Sequence, residues 1–199
     1  MMWKKLTEYP NEKVIDKEFN KIIYWEIQDG KIVHQKRILR SADIETFEIY
    51  QSSDTVFIAR DKNNIYHAWS KLSKVDRDSF VALGNGYWKD KNVAYIENET
   101  SLTQLKGLDA QDFCVLGNGF AYDKNFAYYF GRVIKSCSDP QTLTLVNADD
   151  YFAMDSENIF YESGVLKGAD KETWKLLGNG FSRDKKSVFF AIKNYHELI

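Results

Sequence analysis

The sequence predicts an α+β, β-rich fold built as a tandem array of about five units of ~30 residues, each a short helix plus a β-hairpin. Three observations predict it. The tetrapeptide Leu-Gly-Asn-Gly occurs three times, beginning at Leu83, Leu116 and Leu177. Each copy is followed by an aromatic residue and, three residues later, by an Asp-Lys pair. A second series of aspartates, each followed by regularly spaced apolar residues, alternates with these pairs.

The first series defines the repeats and their hairpin turns. Its aspartates, which we call the reference aspartates of the first to fifth repeats, are 29, 33, 32 and 29 residues apart: Asp61, Asp90, Asp123, Asp155 and Asp184. Five residues after each comes an aromatic residue: Tyr66, Tyr95, Tyr128, Phe160 and Phe189. An aspartate side chain accepts hydrogen bonds from the following backbone, and asparagine tolerates a left-handed conformation. Each Asp-Lys-Asn segment is therefore predicted to be a tight turn between two strands.

The second series predicts the helices. Its aspartates are Asp43, Asp76, Asp109, Asp139 and Asp170. Four and seven residues after each stand apolar residues, such as Phe113 and Leu116, a spacing typical of one helical face. Each of these aspartates is expected to cap a helix of about two turns, with Pro140 at a first helical position. The glycine after Leu83, Leu116 or Leu177 is expected to end the helix in a left-handed conformation.

The domain organisation follows from the size of one repeat. A unit of about 30 residues cannot bury its own apolar faces, so neighbouring units must stack. We expect an N-terminal extension over residues 1–17 and a single array over residues 18–199. A closed propeller is less favoured, because four strands per blade do not fit comfortably into so short a repeat. The least regular stretch, residues 147–151, lacks the Leu-Gly-Asn-Gly signature and is either a changed site or a bulge.

Composition and charge exclude several classes of function. The 199 residues carry a formal net charge of −2, so no basic field favours nucleic acid or an anionic membrane. No apolar stretch is long enough to span a membrane or to act as a leader, so a cytoplasmic protein is expected, or an envelope protein if the chain has been trimmed. Cys114 and Cys137 are interpreted as reduced thiols, although a bridge between them stays open.

The repeat also carries a family resemblance. Its best copy reads Asp123-Lys124-Asn125-Phe126-Ala127-Tyr128-Tyr129, and this pattern resembles the bacterial DKNYY repeat family over roughly residues 40 to 192. The fourth copy, Asp155-Ser156-Glu157, departs from the pattern because it lacks the lysine. The resemblance implies a bacterial origin and a tandem architecture. It implies no catalytic residue, because the family has no assigned biochemical activity.

No cofactor, metal or catalytic site is predicted. An EF-hand loop starting at a reference aspartate needs a glutamate at position 12, where this chain has Leu72, Ser101 or Ile134. The three histidines, His34, His67 and His196, lack partners at the spacing of a metal site. Cys114 lies among core positions and Cys137 between two serines, with no histidine nearby in the sequence. We therefore expect a protein that is not an enzyme, with a site assembled across repeats as the remaining catalytic alternative.

Partner-binding candidates are aromatic and acidic. Trp69, Trp88 and Tyr122 are out of phase with the core aromatic residues, so they are expected on strand faces that the core does not use. The middle of the chain, residues 109–170, has ten acidic and four basic residues. Asp149, Asp150 and Glu157 are the acidic candidates there, and such a surface would attract a basic partner. The alternative for both groups of residues is that they are ordinary solvent-exposed residues with no binding role.

Taken together, these features favour non-catalytic binding of one protein partner. The most concrete hypothesis is an immunity-type inhibitor that binds and neutralises a basic toxin domain. The alternative is an envelope-associated repeat protein that binds a glycan or small ligand through Trp69, Trp88 and Tyr122.

Overall fold

The computed structural model describes residues 2–8, 14–16, 21–23, 25–51, 57–98, 100–108, 110–148, 150–191 and 193–195. Throughout these residues the secondary structure is short antiparallel β-strands with no α-helix. Three single 3-10 turns occur, at Leu6–Glu8, Ile44–Thr46 and Pro140–Thr142. The chain divides into two compact units, residues 1–81 with 97–103 and residues 82–96 with 104–199.

The N-terminal strands form three sheets. Strands β2 (Val14–Asp16) and β3 (Lys21–Ile23) make a hairpin, and β4 (Trp25–Gln28), β5 (Lys31–His34) and β6 (Arg37–Ile38) make a three-stranded sheet. The first repeat consists of β7 (Glu48–Gln51), β8 (Ile58–Arg60), β9 (Ile65–His67) and β10 (Ser70–Lys71). Strand β1 (Met2–Lys5) adds to the edge of this sheet by pairing with β7.

The four later repeats are four-stranded sheets whose strands follow one another in chain order. The second repeat contains β11 (Val81–Gly84), β12 (Tyr87–Lys89), β13 (Ala94–Glu97) and β14 (Leu102–Gln104). The third contains β15 (Cys114–Gly117), β16 (Phe120–Tyr122), β17 (Ala127–Tyr129) and β18 (Arg132–Val133). The fourth contains β19 (Thr144–Leu145), β20 (Phe152–Met154), β21 (Ile159–Tyr161) and β22 (Gly164–Val165). The fifth contains β23 (Lys175–Gly178), β24 (Phe181–Arg183), β25 (Val188–Phe190) and β26 (Lys193–Tyr195).

The predicted α+β class is therefore wrong, because no repeat contains the predicted helix. After Asp43 and Asp139 the chain makes a single 3-10 turn and then enters a strand. The capping chemistry itself occurs: the carboxylates of Asp43, Asp76 and Asp170 accept hydrogen bonds from the backbone N–H three residues later. One turn is too short to nucleate a helix, and the following apolar residues pack better on a pleated strand. The copy at Asp109 lies outside the described residues.

The Leu-Gly-Asn-Gly segment is a hairpin turn and not a helix cap. Asn85 and Gly86 have φ angles of 53° and 75°, and Asn118 and Gly119 have 49° and 81°. Two successive positive φ angles define the Asn-Gly type I′ turn, which joins the first and second strands of the repeat. The expectation that four strands do not fit one repeat is also wrong, because strands of two to four residues are short enough.

The structure adds a unit that the sequence analysis did not count. Sheet β4–β6 is in phase with the first repeat, since Trp25, Ile32 and Leu39 each precede their counterparts by 33 residues: Ile58, Ile65 and Leu72. The Leu39 N–H donates to the Ile32 carbonyl at 2.9 Å, and the Leu72 N–H to the Ile65 carbonyl at 2.9 Å. The same hydrogen bond recurs in the same place, so β4–β6 is a degenerate repeat without its reference aspartate.

The core of the C-terminal unit lies between consecutive sheets. The first residue of the second strand is completely buried in the second, third and fourth repeats, at Tyr87, Phe120 and Phe152. Phe120 packs in one cluster with Leu143 and Phe160 of the following repeat. Phe152 likewise packs with Trp174, at 5.4 Å between ring centroids, and with residues of the fifth repeat. Each sheet therefore covers the face of the sheet before it.

Candidate functional site

The reference aspartates hold the turns of the scaffold. Asp61 is completely buried, and its Oδ1 accepts hydrogen bonds from the Asn63 and Asn64 N–H groups at 2.8 and 2.7 Å. Its Oδ2 accepts from the Asp43 N–H at 3.0 Å and from the Tyr66 hydroxyl at 2.8 Å. Burial opposes ionisation, but these donors outweigh it and hold the pKa of Asp61 below its usual value. This carboxylate is occupied with structural contacts.

The same arrangement recurs in every described repeat. Each of the other reference aspartates is buried, and each accepts from the backbone N–H groups two and three residues later: Asp90, Asp123, Asp155 and Asp184. Tyr95 donates to Asp90 at 2.8 Å, as Tyr66 does to Asp61. In these two repeats the aspartate and the aromatic residue therefore stabilise the turn together, whereas the buried Tyr128 hydroxyl of the third repeat has no hydrogen-bond partner.

The lysine of the turn has a structural partner as well. Lys62 forms an ion pair with Asp43 at 2.8 Å in the first repeat, and Lys185 with Asp170 at 2.6 Å in the fifth. In the fourth repeat this lysine is replaced by Ser156, so the exposed carboxylate of Asp139 lacks the corresponding ion pair. Glu157 takes the place of the asparagine. The turn of the fourth repeat is therefore more acidic than the corresponding turns of the other repeats.

An open cavity of about 400 Å³ lies between two of these turns. It is lined by Lys91 and Asn92 of the second repeat and by Lys124 and Asn125 of the third. These positions match Lys62 and Lys185, which bind aspartates of the scaffold. We interpret the cavity as the gap between neighbouring turns.

The predicted aromatic candidates have three different environments. Trp88 is only 1% exposed, so the expectation that it lies on an unused strand face is wrong. Trp69 is 42% exposed, and the Arg37 guanidinium covers its ring at 4.1 Å from the centroid. Tyr122 is half-buried opposite Cys114, whose hydrogen bond raises the pKa of the tyrosine. Trp69 belongs to the N-terminal unit, whereas Trp88 and Tyr122 belong to the C-terminal unit.

The predicted acidic candidates are also separated. Asp149 lies outside the described residues. Asp150 precedes strand β20, whereas Glu157 follows that strand in the turn to β21. Because the two residues flank the same strand, they lie at opposite ends of the fourth sheet. Glu157 is exposed and accepts a hydrogen bond from Ser138 at 3.1 Å.

Asp150 lies instead in a cluster that the sequence analysis did not identify. We call it the tyrosine–carboxylate surface and define it by five residues of the third and fourth repeats: Tyr129, Asp150, Tyr151, Tyr161 and Glu162. The Glu162 N–H donates to the Tyr151 carbonyl at 2.8 Å, which fixes the two loops of the fourth sheet side by side. Tyr151 and Glu162 are exposed, and Tyr129 and Tyr161 are half-buried.

The irregular stretch over residues 147–151 builds this surface. The side-chain amide of Asn118, in the third repeat, donates to the carbonyls of Ala148 and Asp150 at 3.0 and 2.9 Å. The Asn147 side chain in turn accepts from the Asp150 N–H at 2.8 Å. These contacts hold the described residues on either side of Asp149, and Tyr151 is exposed to solvent.

The electrostatics of the surface are negative. Burial and then the Glu162 carboxylate raise the pKa of Tyr129, which also donates a hydrogen bond to Glu162. Burial, Glu162 and Asp150 likewise raise the pKa of Tyr161. Arg132 lies opposite Tyr129 on the next strand and is the basic residue that the register places nearest. Phenol rings beside carboxylates are suited to contact arginine and lysine side chains, through hydrogen bonds, charge and cation–π contacts.

Two buried histidines form a separate aromatic cluster in the N-terminal unit. His34 packs against Trp25 at 4.5 Å and Trp69 at 5.9 Å between ring centroids, and its Nδ1 is buried without a hydrogen-bond partner. Burial, with a smaller effect of His67, lowers the pKa of His34 to about 4. His67 contacts the Asn98 carbonyl through Nε2 at 3.0 Å. The two histidines stand 33 residues apart, one repeat length, a signal that could have paired them from the sequence.

Over the described ranges, no group of three or more His, Cys, Asp or Glu residues is placed to hold a metal ion. Within those same ranges, no helix has the length and apolar character needed to cross a membrane. Cys114 and Cys137 are both free thiols.

Comparison with known proteins identifies the repeat. The model of the DKNYY family matches residues 5–99 and, in an overlapping second segment, residues 58–193. The chain belongs to the DKNYY family. The predicted resemblance is confirmed, and the match begins earlier than residue 40, in agreement with the degenerate repeat at β4–β6. Searches of curated proteins and of solved structures gave no match.

The DKNYY signature explains why the tyrosine–carboxylate surface was missed. Tyr129 is the second tyrosine of the signature and Tyr161 is its counterpart one repeat later, so both follow the regular pattern of the repeat. Their register opposite the buried Phe120 and Phe152 places them at the rim of the core. The absence of the Asn-Gly pair from the fourth DKNYY repeat is the sequence feature that could have indicated this surface.

Proposed function

We propose that this DKNYY protein is a non-catalytic protein-binding repeat protein that acts in the cytoplasm on a basic partner. Its most concrete form is an immunity-type inhibitor that binds and neutralises a basic toxin domain. The observation that carries the proposal is the tyrosine–carboxylate surface, where the exposed Tyr151 and Glu162 lie side by side on two neighbouring loops of the fourth repeat.

The regular carboxylates support a non-catalytic role. The reference aspartates are buried and saturated by backbone donors, which leaves them no capacity to act as an acid, a base or a ligand. The residues of the loops differ from one repeat to the next, as they do in repeat proteins that bind their partners through loops on a rigid scaffold. Asp150 and Glu162 add negative charge to rings that are typical of interface cores.

The glycan alternative has weaker support. Of its three aromatic candidates, Trp88 is buried and Tyr122 is half-buried, so Trp69 alone is well exposed. One face of the Trp69 ring is covered by Arg37, which leaves less ring surface for stacking on a sugar.

The test is binding to candidate basic toxin domains, beginning with those encoded beside the gene. Wild-type protein is expected to bind one such domain at equal stoichiometry, measured by calorimetry, and to block its activity. Because they reverse the charge of the surface, Asp150→Lys and Glu162→Lys together are expected to weaken binding at least about a hundredfold.

The matched control is the double variant Glu45→Lys and Asp78→Lys, which makes the same charge change at exposed residues of the N-terminal unit. It is expected to bind as the wild type does. Equal loss of binding in both double variants would show a non-specific charge effect. Failure of every basic domain to bind would remove the immunity hypothesis.

A further inference from the structure

The sheet of the fifth repeat has exposed apolar side chains. Phe181 and Phe190 pair directly across β24 and β25, with 4.7 Å between ring centroids. They are 46% and 42% exposed, and Leu177 on the neighbouring strand is 56% exposed. We call these three residues the terminal face.

The position of Phe181 is buried in earlier repeats. Phe120 and Phe152 correspond to Phe181, and both are completely buried because the following sheet covers them. A contiguous exposed apolar patch promotes association. Among the described residues of the fifth repeat these three apolar side chains are exposed together, so this face is suited to a second protein surface.

The charged residues beside the terminal face indicate what kind of protein surface can bind there. Lys175 lies directly opposite Arg183, on β23 and β24, and both side chains are exposed. In the first repeat the corresponding register pairs Glu48 with Arg60, which form an ion pair at 2.6 Å. Like charges directly opposite each other destabilise a sheet. Carboxylates from outside would relieve this repulsion.

We propose that the occupant of the terminal face is the tyrosine–carboxylate surface of a second copy of this chain. Asp150 and Glu162 supply carboxylates for Lys175 and Arg183, which form no ion pair with any described residue. Tyr151, exposed on the same surface, supplies an aromatic ring for Phe181 and Phe190. The contact joins two different surfaces, so a dimer still has one free tyrosine–carboxylate surface and one free terminal face. Further copies can add at both ends, and the assembly grows as an open chain.

This association also regulates access to the surface. A copy whose tyrosine–carboxylate surface is covered by a neighbour's terminal face cannot present that surface to another protein. Self-association and the binding of a basic partner are therefore competing states, and their balance shifts with protein concentration. The self-association itself does not depend on the proposed function, because it needs no other protein.

The experiment is sedimentation velocity of the purified full chain over a wide range of concentration. The wild type is expected to form dimers and larger species as concentration rises, and to dissociate with added salt. The variant Lys175→Glu with Arg183→Glu removes the basic side of the contact, and Asp150→Lys with Glu162→Lys removes the acidic side. Each double variant alone is expected to have a dissociation constant at least about tenfold higher than the wild type.

An equimolar mixture of the two variants tests whether the copies associate through this contact and not through another one. The first variant keeps an intact tyrosine–carboxylate surface and the second an intact terminal face, and the two reversed surfaces again carry opposite charges, so the mixture is expected to recover the association that each variant alone loses. The control, Lys106→Glu with Lys135→Glu, changes the same charge at exposed lysines elsewhere and is expected to associate like the wild type. All four changed positions are exposed or half-buried, and circular dichroism checks that each variant is folded.

A wild type that stays monomeric at every concentration would overturn the proposal. So would oligomers that survive both double variants, or a mixture of folded variants that does not associate. A protein that binds a basic toxin domain without self-associating would leave the proposed function standing and remove only this inference.

Discussion

Replacing Asp61 by asparagine tests whether the reference aspartates are structural. The substitution keeps one carbonyl oxygen, which can still accept from the Asn63 and Asn64 N–H groups. It replaces Oδ2 by an NH2 group, which cannot accept from the Asp43 N–H and leaves the Tyr66 hydroxyl with the Ser41 carbonyl, at 3.3 Å, as its acceptor. Two hydrogen bonds to a buried charge are lost, and each contributes about 1.5 kcal/mol or more.

The expected cost of Asp61→Asn is therefore about 3 kcal/mol in the free energy of unfolding. For a chain of this size that corresponds to a fall in Tm of roughly 6–12 °C. The assay is urea denaturation followed by tryptophan fluorescence, with a thermal melt alongside. Tyr66→Phe should cost about half as much, because it removes one of the two hydrogen bonds.

The control is Asp78→Asn, at an aspartate whose side chain is 90% exposed, and a change within about 0.5 kcal/mol is expected. If Asp61→Asn were equally mild, the buried carboxylate would not hold the turn. The structural interpretation of the repeat would then fail, and the reference aspartates would again be candidates for a ligand site.

Three further predictions concern buried groups and turns. Burial lowers the pKa of His34 from 6.5 to about 4, so the unfolded chain binds this proton more tightly. Stability should fall by up to about 3 kcal/mol as pH drops from 6.5 towards 4, and His34→Gln should flatten that slope in urea melts at each pH. Trp88→Ala should lower the free energy of unfolding by about 3–5 kcal/mol and Trp69→Ala by much less, because Trp88 is buried and Trp69 is exposed. The reverse order in the same urea melts would contradict this assignment of burial. At Gly131, with φ +75°, an added Cβ would lie 2.6 Å from an isoleucine methyl, whereas at Gly30, with φ +66°, it meets nothing within 4 Å. Gly131→Ala should therefore lower Tm further than Gly30→Ala, and equal shifts would show that backbone strain alone matters.

The turns could be predicted from the sequence because their chemistry is local. An aspartate such as Asp123 finds its backbone donors two and three residues away, whatever the rest of the chain does. The Asn118-Gly119 pair was locally ambiguous, since positive φ angles serve both a helix end and a type I′ turn. The spacing of Phe113 and Leu116 was ambiguous too, because one turn followed by a strand gives the same pattern as two helical turns.

The candidate site depended on contacts between repeats, which no local rule supplies. Asn118 holds the loop before Tyr151 from the preceding repeat, more than 30 residues away in the chain. Trp88 was expected on an open face because alternation along a strand fixes which side a residue faces and not what covers that side. Two of the three predicted acidic residues, Asp150 and Glu157, are close in sequence and yet lie at opposite ends of one sheet.

Site-specific photocrosslinking in the host cell tests the central claim most directly. A benzophenone amino acid placed at Tyr151 should yield one predominant adduct, with a basic protein, or with a second copy of this chain when the protein is abundant. The same label at Phe126, an exposed aromatic residue of a scaffold turn, should yield neither. No adduct at Tyr151, or the same set of adducts from both positions, would contradict the assignment of the tyrosine–carboxylate surface as a binding site.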